Sequence, residues 1–306
     1  MTETASEILV SVGLLSYNRP DGLRRALEGI VTQTHRNLEI LVTDNASTDP
    51  AVGEVIAEFA ARDPRIRFVR QPENIGFIRN FRYAFENTRS EYFLWAADDD
   101  VMLPEYIEVC LHNMLTAKYP VALSFTHLRK VRVDGSVVNP DFADPIHTAT
   151  PNMLRRSIKY LLFSAGNQCC YGLYRREAVS PWFFERRFAN DHLALLDSMR
   201  YGNIHIDPRV LFISTAEGTG FQRQNFHTYY PPENIRMKVA VNLSSTLTWG
   251  YEFLRFIALT PYKPYEKVVL WLFTFARFIR YRYVRRFAGD MLALVTRRDI
   301  WNFRRV

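Results

Sequence analysis

The chain has 306 residues, 48% of them hydrophobic, which is enough for one large domain or for a domain with an appendage. The net charge of +7 belongs to the C-terminal end, because residues 277–306 contain nine Arg and two Asp, whereas residues 1–276 carry 30 basic and 30 acidic groups. A neutral body argues against nucleic-acid binding and leaves the basic end for a local contact with an anionic partner.

Three features indicate a cellular location. Cys110, Cys169 and Cys170 lack metal-ligand spacing, which favours buried thiols in a reducing compartment. Residues 1–7 are acidic and lack the basic-then-apolar order of a signal peptide. The longest apolar run, Val268–Ala276, has nine residues, about half of the roughly 20 that cross a bilayer. A cytoplasmic protein is therefore expected.

The first hundred residues alternate between strand and helix patterns. Apolar strands are predicted at residues 8–15, 38–43, 66–69 and 92–97. Between them, apolar residues recur at the spacing of amphipathic helices, starting with Leu23, Ala26 and Leu27. This alternation predicts a mostly parallel α/β sheet with helices on both faces. No glycine-rich phosphate loop follows the first strand, so any nucleotide must be held in another way.

The later elements are less regular. Helices are predicted over 107–115, 154–162 and 191–199, and strands over 121–127, 128–133, 168–174, 204–206 and 210–213. Asp134-Gly135 predicts a hairpin turn, residues 139–149 are expected to be irregular, and Thr150-Pro151 is expected to cap the helix that follows. Aromatic residues become dense from about residue 217 and two or three long helices follow, so a boundary is placed within 216–232.

Polar residues follow each of the first four strands. They are Ser16-Tyr17-Asn18, Asp44-Asn45, Asn74 to Arg79, and Asp98-Asp99-Asp100. Because the carboxyl ends of parallel strands share one edge of a sheet, where such sheets bind ligands, these loops predict a binding site. Three adjacent carboxylates are costly to desolvate without a cation, and oxygen ligands suit Mg²⁺ or Mn²⁺. On extended backbone, Asp98 and Asp100 would lie on one side.

Each of these residues also has a purely structural interpretation. Asp44 and Asn45 suit an Asx-turn, Asp49 suits a helix cap, and Arg79 suits a solvated helix face. The Asp triplet suits a turn before a helix opened by Pro104. The occurrence of four such loops in order favours the binding site over these separate explanations.

An ordered set of motifs runs through the first two hundred residues. It comprises Ser16-Tyr17-Asn18-Arg19-Pro20, Gln33-Thr34, Asn37-Leu38-Glu39-Ile40, Asp44 to Asp49, Asn74-Ile75-Gly76, and the Asp triplet with Leu103-Pro104. This set resembles the family-2 glycosyltransferases, which have the GT-A fold, over roughly residues 8–215. The resemblance implies a catalytic domain over 1–216, with a donor half over about 8–100 and an acceptor half over about 101–216. A helical, Arg-rich C-terminal region would then occupy 217–306.

The resemblance implies roles at the donor site. Ser16, Tyr17 and Asn18 would lie against the nucleotide base, and Asp44, beside Asn45, would accept a hydrogen bond from the base, usually uracil. Arg79 would approach the diphosphate. The triplet would bind Mn²⁺ or Mg²⁺, with Asp98 also contributing to the donor site. Many relatives have Asp-x-Asp-Asp here. Because Ala97 replaces the first Asp, the metal pair is either Asp99 with Asp100 or Asp98 with Asp100.

A general base and a further ligand complete the implied site. Sugar transfer requires a base that takes the proton of the acceptor hydroxyl, and Asp191 stands at the family's position for it. Asn190 replaces the Glu that usually precedes this Asp. Alternatively, Asn190 or Asp191 only caps a helix. His227 is a candidate metal ligand or phosphate contact, with a structural role in an aromatic loop as the alternative.

The expected function is metal-dependent, inverting transfer of a sugar from a nucleotide-diphospho-sugar, by family default a UDP-sugar. The acceptor is expected to be a saccharide or a lipid-linked molecule in cell-surface polysaccharide or glycolipid synthesis. One alternative is a sugar-phosphate nucleotidylyltransferase, which would need a glycine-rich basic loop after the first strand. Another is a non-catalytic relative that binds nucleotide or carbohydrate.

The C-terminal region interleaves aromatic residues with arginines over 266–288. Trp271, Phe275 and Phe278 alternate there with Arg277 and Arg280, among others. This pattern suits the interface of an anionic membrane, so peripheral association with its inner face is expected. The alternatives are a helix packed on the catalytic domain with a solvated basic face, and an oligomer contact.

Overall fold

A computed structural model of the chain describes residues 5–132, 134–142, 146–164, 166–185, 189–215 and 245–280. The strands are β1 (Val10–Ser16), β2 (Leu38–Asp44), β3 (Ile66–Arg70), β4 (Tyr92–Ala97), β5 (Asp100–Met102), β6 (Val121–Val131), β7 (Val137–Phe142), β8 (Leu173–Arg175) and β9 (Asn203–Thr215). The α-helices are α1 (Pro20–Val31), α2 (Pro50–Arg62), α3 (Phe77–Glu86), α4 (Tyr106–Thr116), α5 (Met153–Phe163), α6 (Asn190–Ser198), α7 (Ser245–Leu259) and α8 (Pro264–Arg280). The 3₁₀ turns Gln168–Tyr171, Arg176–Ala178 and Pro181–Phe184 lie between α5 and α6.

The donor half is a regular parallel sheet in the order β3-β2-β1-β4. β1 pairs in parallel with both β2 and β4, without a shift in register. It is buried at every position, as expected for a strand that is covered on both faces. The predicted alternation of strands and helices is confirmed in this half.

The helix starts in the donor half follow the local sequence. Pro20 occupies the first turn of α1, where its missing N–H costs no hydrogen bond, and Asp21 follows it. Asp49 caps α2, because its carboxylate accepts a 2.9 Å hydrogen bond from the N–H of Ala51. The prediction that Asp49 is a cap is confirmed, so its role is structural.

The acceptor half continues the same sheet with mixed strand directions. β8 joins the halves, because it pairs antiparallel with β4 on one side and with β6 on the other. β9 then runs parallel to β6 and antiparallel to β5, and β7 pairs with the far end of β6. The strand β5, which begins with Asp100, therefore belongs to the edge of the acceptor half.

Several predicted elements of the acceptor half are wrong. Residues 121–133 are not two strands, because β6 continues through register shifts against β9 around His127. In the same way, 204–206 and 210–213 are parts of the single strand β9. Residues 168–174 are mostly a 3₁₀ turn, since only the short β8 finds partners.

Two smaller differences concern chain reversals. The predicted hairpin turn at Asp134-Gly135 is confirmed, with Gly135 at φ 82° and its N–H bonded to the carbonyl of Arg132 at 2.9 Å. The strand that follows, β7, extends into the segment expected to be irregular. Asn152, not Thr150-Pro151, caps α5, because its side chain accepts a 2.9 Å hydrogen bond from the N–H of Arg155.

The described part of the C-terminal region, residues 245–280, packs on the acceptor half. The hydroxyls of Ser157 and Tyr262 lie 3.0 Å apart, and Arg277 donates a 3.0 Å hydrogen bond to the carbonyl of Leu161 in α5. The Arg277 guanidinium also lies 4.9 Å from the ring centroid of Trp249. Arg277 is 4% exposed and so does not belong to a solvated basic face.

Two further sequence predictions concern the C-terminal region. The predicted boundary within 216–232 lies outside them. Among the helices of the described ranges, none combines the length and the hydropathy that a membrane crossing requires.

Candidate donor and acceptor site

Side-chain hydrogen bonds join the loops after β1 and β2. Asn18 has φ 54°, a left-handed conformation that asparagine tolerates. Its Oδ1 accepts hydrogen bonds from the N–H groups of Thr48 at 2.7 Å and Asp49 at 3.2 Å. The N–H of Asn18 donates to Ser47 Oγ at 2.9 Å. Asn18 therefore fixes the shape of both loops, while the Tyr17 side chain remains exposed beside it.

Ser16 and Asp44 end two neighbouring strands and are register partners. The Asp44 carboxylate is buried and accepts hydrogen bonds from the N–H of Ser47 at 3.0 Å and from its hydroxyl at 2.5 Å, which is the Asx-turn of the structural interpretation. The Ser16 hydroxyl is also buried, and it makes no hydrogen bond within the part of the chain that the structure describes. Because an unpaired buried hydroxyl is unfavourable, this group suits a bound ligand.

Two asparagines shape the loop after β3. Asn45 donates to Asn74 Oδ1 at 2.9 Å and accepts from the N–H of Ile75 at 3.0 Å. Gly76, at φ 79°, then turns the chain into α3. Arg79 is exposed on the first turn of α3, so its contact with a diphosphate stays a prediction.

Arg19 connects the loop after β1 with the Asp triplet. Its Nη1 donates hydrogen bonds of 2.9 Å to Asp98 Oδ1 and to Asp99 Oδ2. The second oxygen of Asp98 accepts the Tyr17 N–H at 2.8 Å. On the same side, a Cβ at Gly22 would lie 2.1 Å from the carbonyl oxygen of Asp98. Helix α1 therefore contacts the triplet backbone directly, and a side chain at position 22 is excluded.

The triplet is not extended. Asp98 and Asp99 lie in the turn between β4 and β5, and Asp100 is the first residue of β5. Side chains two residues apart share one side only on extended backbone, so the prediction that Asp98 and Asp100 lie on one side has no basis in this turn. Burial in the turn and the contacts of each carboxylate decide their roles instead.

The carboxylates of the triplet carry more negative charge than Arg19 offsets. Burial raises the pKa of Asp98 to about 6, although Arg19 opposes the rise. Burial and the neighbouring Asp99 raise the pKa of Asp100 to about 7, against a hydrogen bond from Ser214 in β9. Raised pKa values of this kind mark a site that an additional cation would stabilise.

The donor set fits a divalent cation that enters with a diphosphate. Among the described residues, no three His, Cys, Asp or Glu side chains converge on a metal position. Both oxygens of Asp98 are occupied, one by Arg19 and one by the Tyr17 N–H, whereas Asp99 contacts Arg19 through one oxygen only, so Asp99 and Asp100 are the better oxygen donors. Mg²⁺ is commonly bound by one or two carboxylates when substrate phosphates supply further ligands, so this pair and its excess charge are compatible with the ion. The fourth candidate ligand, His227, lies outside the described residues.

Asp191 lies in the first turn of α6, whose N-cap is Ala189 at φ 59°. Neither Asn190 nor Asp191 is the N-cap residue, but Asp191 is an acid in the first turn that accepts an N–H of that turn, so a structural role at the helix end stays an alternative. Asn190 instead donates a 3.0 Å hydrogen bond to the carbonyl of Phe183. One oxygen of Asp191 accepts a hydrogen bond from the Asn167 side chain, and the other accepts the His192 N–H at 2.7 Å. These contacts orient the carboxylate.

The 3₁₀ turn Gln168–Tyr171 lies between Asp191 and β5. Asn167, directly before the turn, bonds Asp191, and Tyr171 stacks on Phe212, the register partner of Met102 in β5. Burial raises the pKa of the Cys170 thiol well above its usual value, and the carboxylates of Asp191 and Asp100 add to the rise. Tyr171 is buried in the same turn, and Cys170, Asp100, Asp99 and Asp191 all raise its pKa further. The candidate base and the candidate metal motif therefore lie close enough to act electrostatically on the same two residues.

His192 links the candidate base to the helices behind it. Its Nδ1 lies 2.9 Å from the Tyr160 hydroxyl of α5. Burial lowers the pKa of His192, which Asp191 opposes and Arg277 of α8 reinforces. The imidazole is therefore neutral near pH 7, and it connects Asp191 with α5 and the C-terminal helices.

Two residues of the site were missed from the sequence. Arg19 belongs to the first motif, and its position on a loop facing three carboxylates was the available signal. Asn167 offers no local signal, because it meets Asp191 from 24 residues away in the chain.

Fold and site together define a class of protein: a GT-A transferase, with the donor loops and the acidic triplet at the carboxyl edge of the parallel strands. The chain belongs to glycosyl transferase family 2, whose family model matches residues 11–183. Two solved structures share the fold of this chain at low sequence identity. TarS of S. aureus, residues 1–349 in complex with UDP-GlcNAc, has a TM-score of 0.64 at 14% identity, over 90% of this chain and 73% of that one. The mannosyltransferase PcManGT of Pyrobaculum calidifontis, in complex with GDP-Man and Mn²⁺, has a TM-score of 0.50 at 17% identity, over 96% and 87%.

Curated relatives match part of the chain. The chondroitin synthase of Pasteurella multocida is 30% identical over 131 residues, which is 42% of this chain and 13% of the synthase. The glycosyltransferase GlyA of Streptococcus pneumoniae is 33% identical over 107 residues, 35% of this chain and 15% of GlyA. The chain thus spans a small share of the length of these relatives, and it is a glycosyltransferase by family.

Proposed function

We propose that the protein transfers a sugar, with inversion and with a divalent cation, from a nucleotide-diphospho-sugar to a hydroxyl of a saccharide or lipid-linked acceptor. The observation that supports this proposal is that Asp191 and β5, which begins with Asp100, are linked to the two ends of the 3₁₀ turn Gln168–Tyr171. We assign the triplet to the leaving diphosphate and Asp191 to the attacking hydroxyl. The names of relatives, which include chondroitin and hyaluronan synthases, favour polysaccharide synthesis.

The donor is proposed to bind across the loops after β1 and β2. Tyr17 offers an exposed ring against the base, and Asp44 accepts a hydrogen bond from it. The buried hydroxyl of Ser16 gains a partner, which supports a ligand at this point. Arg79, on the first turn of α3, is proposed to contact the diphosphate. UDP is preferred as the nucleotide because TarS, which shares the fold, binds UDP-GlcNAc.

Asp99 and Asp100 are proposed to hold the cation with the diphosphate, while Asp98 keeps Arg19 in place. Bound there, Mn²⁺ or Mg²⁺ would neutralise the charge that develops on the leaving group. Mn²⁺ is the first choice, since PcManGT is described with GDP-Man and Mn²⁺.

Asp191 is proposed as the general base. Its carboxylate takes the proton of the acceptor hydroxyl while that oxygen forms a bond to the anomeric carbon. The bond from this carbon to the diphosphate oxygen breaks, and the nucleoside diphosphate leaves from the opposite face. Asn167 and the His192 N–H hold the carboxylate in the orientation for this transfer.

The remaining part of the proposal concerns location. A lipid-linked acceptor would place the protein at the cytoplasmic face of a membrane as a peripheral protein. The arginine-rich sequence after residue 276 supports an anionic surface over a neutral one.

The test is a thermal-shift panel with UDP, GDP, TDP and CMP, each with Mn²⁺ and with EDTA. A ligand that binds only the native state raises the melting temperature by mass action. We expect a Mn²⁺-dependent rise with one nucleoside diphosphate, abolished in Asp100→Asn and retained in Asp191→Asn. The matching nucleotide-sugar is then hydrolysed by the wild type and not by Asp191→Asn. If none of the four nucleotides raises the melting temperature, the donor site is overturned. Nucleotide binding without any hydrolysis or transfer would favour a non-catalytic relative.

A further inference from the structure

The helix α8 has two faces of different character. Leu270, Thr274 and Arg277 are buried, and this face packs on α5 through the hydrogen bond from Arg277 to Leu161. On the other face, Val268, Trp271, Leu272 and Phe275 are 53%, 42%, 65% and 67% exposed. Their spacing of i, i+3, i+4 and i+7 makes them one row along the helix, called the α8 stripe here.

We propose that the α8 stripe docks this protein on an anionic membrane surface. The inference rests on the peripheral location proposed above and deepens it by naming the surface. The stripe supplies apolar area to the headgroup boundary, and Trp271 is a residue type that favours this boundary. Because the stripe faces away from α5, docking leaves the contacts of α8 with the catalytic domain intact.

The charges of the sequence in and after α8 favour an anionic surface. The sequence contains no acidic residue between Glu266 and Asp290. Over the same stretch it contains Lys267, Arg277, Arg280, Arg282, Arg285 and Arg286. Arg277 is buried against α5 and is not counted, but the other five lie in sequence beside or directly after the stripe. Basic residues next to an apolar helix face strengthen binding to anionic lipids.

A second copy of the chain is a poorer occupant of the stripe. Stable dimers bury roughly 800 Å² on each partner, from about 20–30 residues, and a single row of four side chains is small for that task. A symmetric contact through the stripe would also bring two arginine-rich sequences together, and these repel each other.

Vesicle sedimentation tests the proposal with the full-length chain. Vesicles of phosphatidylglycerol and phosphatidylcholine at 3:7 are compared with pure phosphatidylcholine at low salt and at about 0.5 M NaCl, where charge interactions are screened. We expect binding to the anionic vesicles, weakened by salt, and little binding to the neutral ones. The double variant Leu272→Ser, Phe275→Ser should bind about tenfold less or weaker still, because the apolar area entering the boundary is removed.

Matched variants separate the stripe from general effects. Phe68→Ser replaces an equally exposed apolar residue on β3 and should bind like the wild type. Arg285→Gln, Arg286→Gln should reduce binding to anionic vesicles and its salt dependence. Melting temperatures of all variants report folding, and Val268→Ser provides a second, milder stripe variant should the double variant melt early.

The outcomes are separable. Equal binding of the stripe variants and the wild type overturns the proposal. Concentration-dependent dimers in light scattering that the double variant abolishes overturn it in favour of a second copy. If the wild type does not bind vesicles and the stripe variants melt at lower temperatures, the proposal is overturned and the stripe is assigned to an intramolecular contact. The nucleotide panel is run on the same samples, so vesicle binding without any nucleotide shift would count against the transferase site and not against this surface.

Discussion

The two halves of the sheet, β3-β2-β1-β4 for the predicted donor half and β8-β6-β9-β5 for the predicted acceptor half, are built by different means. In the donor half, parallel strands pair without register shifts, and the loops at their ends are held by hydrogen bonds to backbone groups through Asn18 and Asp98. In the acceptor half, the strands shift register, and Asp191 is oriented by one side chain and one neighbouring N–H. The loops after β1 and β2 are therefore held by many main-chain bonds, whereas Asp191, the proposed base, is held by only two contacts.

Loss of the base should stop turnover without disturbing the loops after β1 and β2. For Asp191→Asn we expect kcat to fall by roughly 10³-fold, within the range for removal of a general base. The Mn²⁺-dependent thermal shift with the nucleoside diphosphate should stay within about 1 °C of the wild-type shift, because the donor half is unchanged. Asn190→Ala is the control, since it removes only the bond to the Phe183 carbonyl and should keep kcat within a few-fold. A reduced nucleotide shift in Asp191→Asn would show that the halves are not independent.

The charge of the triplet should make the stability of the protein in EDTA depend on pH. The folded-state pKa values of Asp98 and Asp100, about 6 and about 7, exceed those of an unfolded chain. Their contribution to stability is therefore complete below about pH 4 and is lost as the pH rises through 6 and 7. The expected loss between pH 5 and pH 8 is on the order of 4 kcal/mol for the two groups together.

The variant Asp100→Asn isolates this effect. We expect its melting temperature to be close to that of the wild type at pH 5 and several degrees higher at pH 8, because the amide carries no charge to bury. At pH 8 the same variant should lose the shift with Mn²⁺ and nucleotide. If the melting temperatures of the two proteins change with pH in the same way, the excess negative charge assigned to the triplet is contradicted.

The contact between α1 and the triplet backbone should make position 22 intolerant of any side chain. For Gly22→Ala we expect a loss of about 2–3 kcal/mol or more, because the new Cβ meets the Asp98 carbonyl oxygen and backbone has to move. Gly53→Ala in α2 is the matched control. Nothing lies within 4 Å of its Cβ position, so alanine should stabilise the helix by about 0.5–1 kcal/mol. Denaturant unfolding measures both, and equal effects would contradict the close contact.

The ion pairs of Arg19 should contribute more to the free energy of unfolding than exposed surface pairs do. Arg19→Ala leaves Asp98 buried with only the Tyr17 N–H, and we expect a loss of about 2 kcal/mol at pH 8. The loss should shrink at pH 5, where Asp98 is protonated in the folded state. Arg82→Ala, which removes an exposed pair with Glu86, should cost about 0.3–0.5 kcal/mol at either pH. A cost for Arg19→Ala as small and as pH-independent as this control would show that the triplet does not need the arginine.

The same contrast explains how much could be predicted from the sequence. Strands β1 to β4 and their loops follow from local patterns, since fully buried parallel strands and Pro-opened helices each leave a local signature. The lengths of β6 and β9, and the 3₁₀ turn at Cys170, depend on pairing between distant segments, which no local pattern records. At the site, Asp44 and the triplet could be placed at one edge of the sheet, but the conformation of Asp98 could not. It is set by Arg19 and Gly22, which lie about eighty residues earlier in the chain.

The bonds that Asn18 and Ser47 make with backbone groups have a consequence for any redesign of donor choice. Two loops that are held together by hydrogen bonds to main-chain groups keep their shape when an exposed side chain is exchanged. Tyr17 and Arg79, which are exposed and are proposed to contact the donor, are therefore the positions at which a library would test donor preference at little cost in stability. A library that inserted or removed residues between Ser16 and Pro20 would instead break these bonds, because Gly22 leaves α1 no room to shift against Asp98.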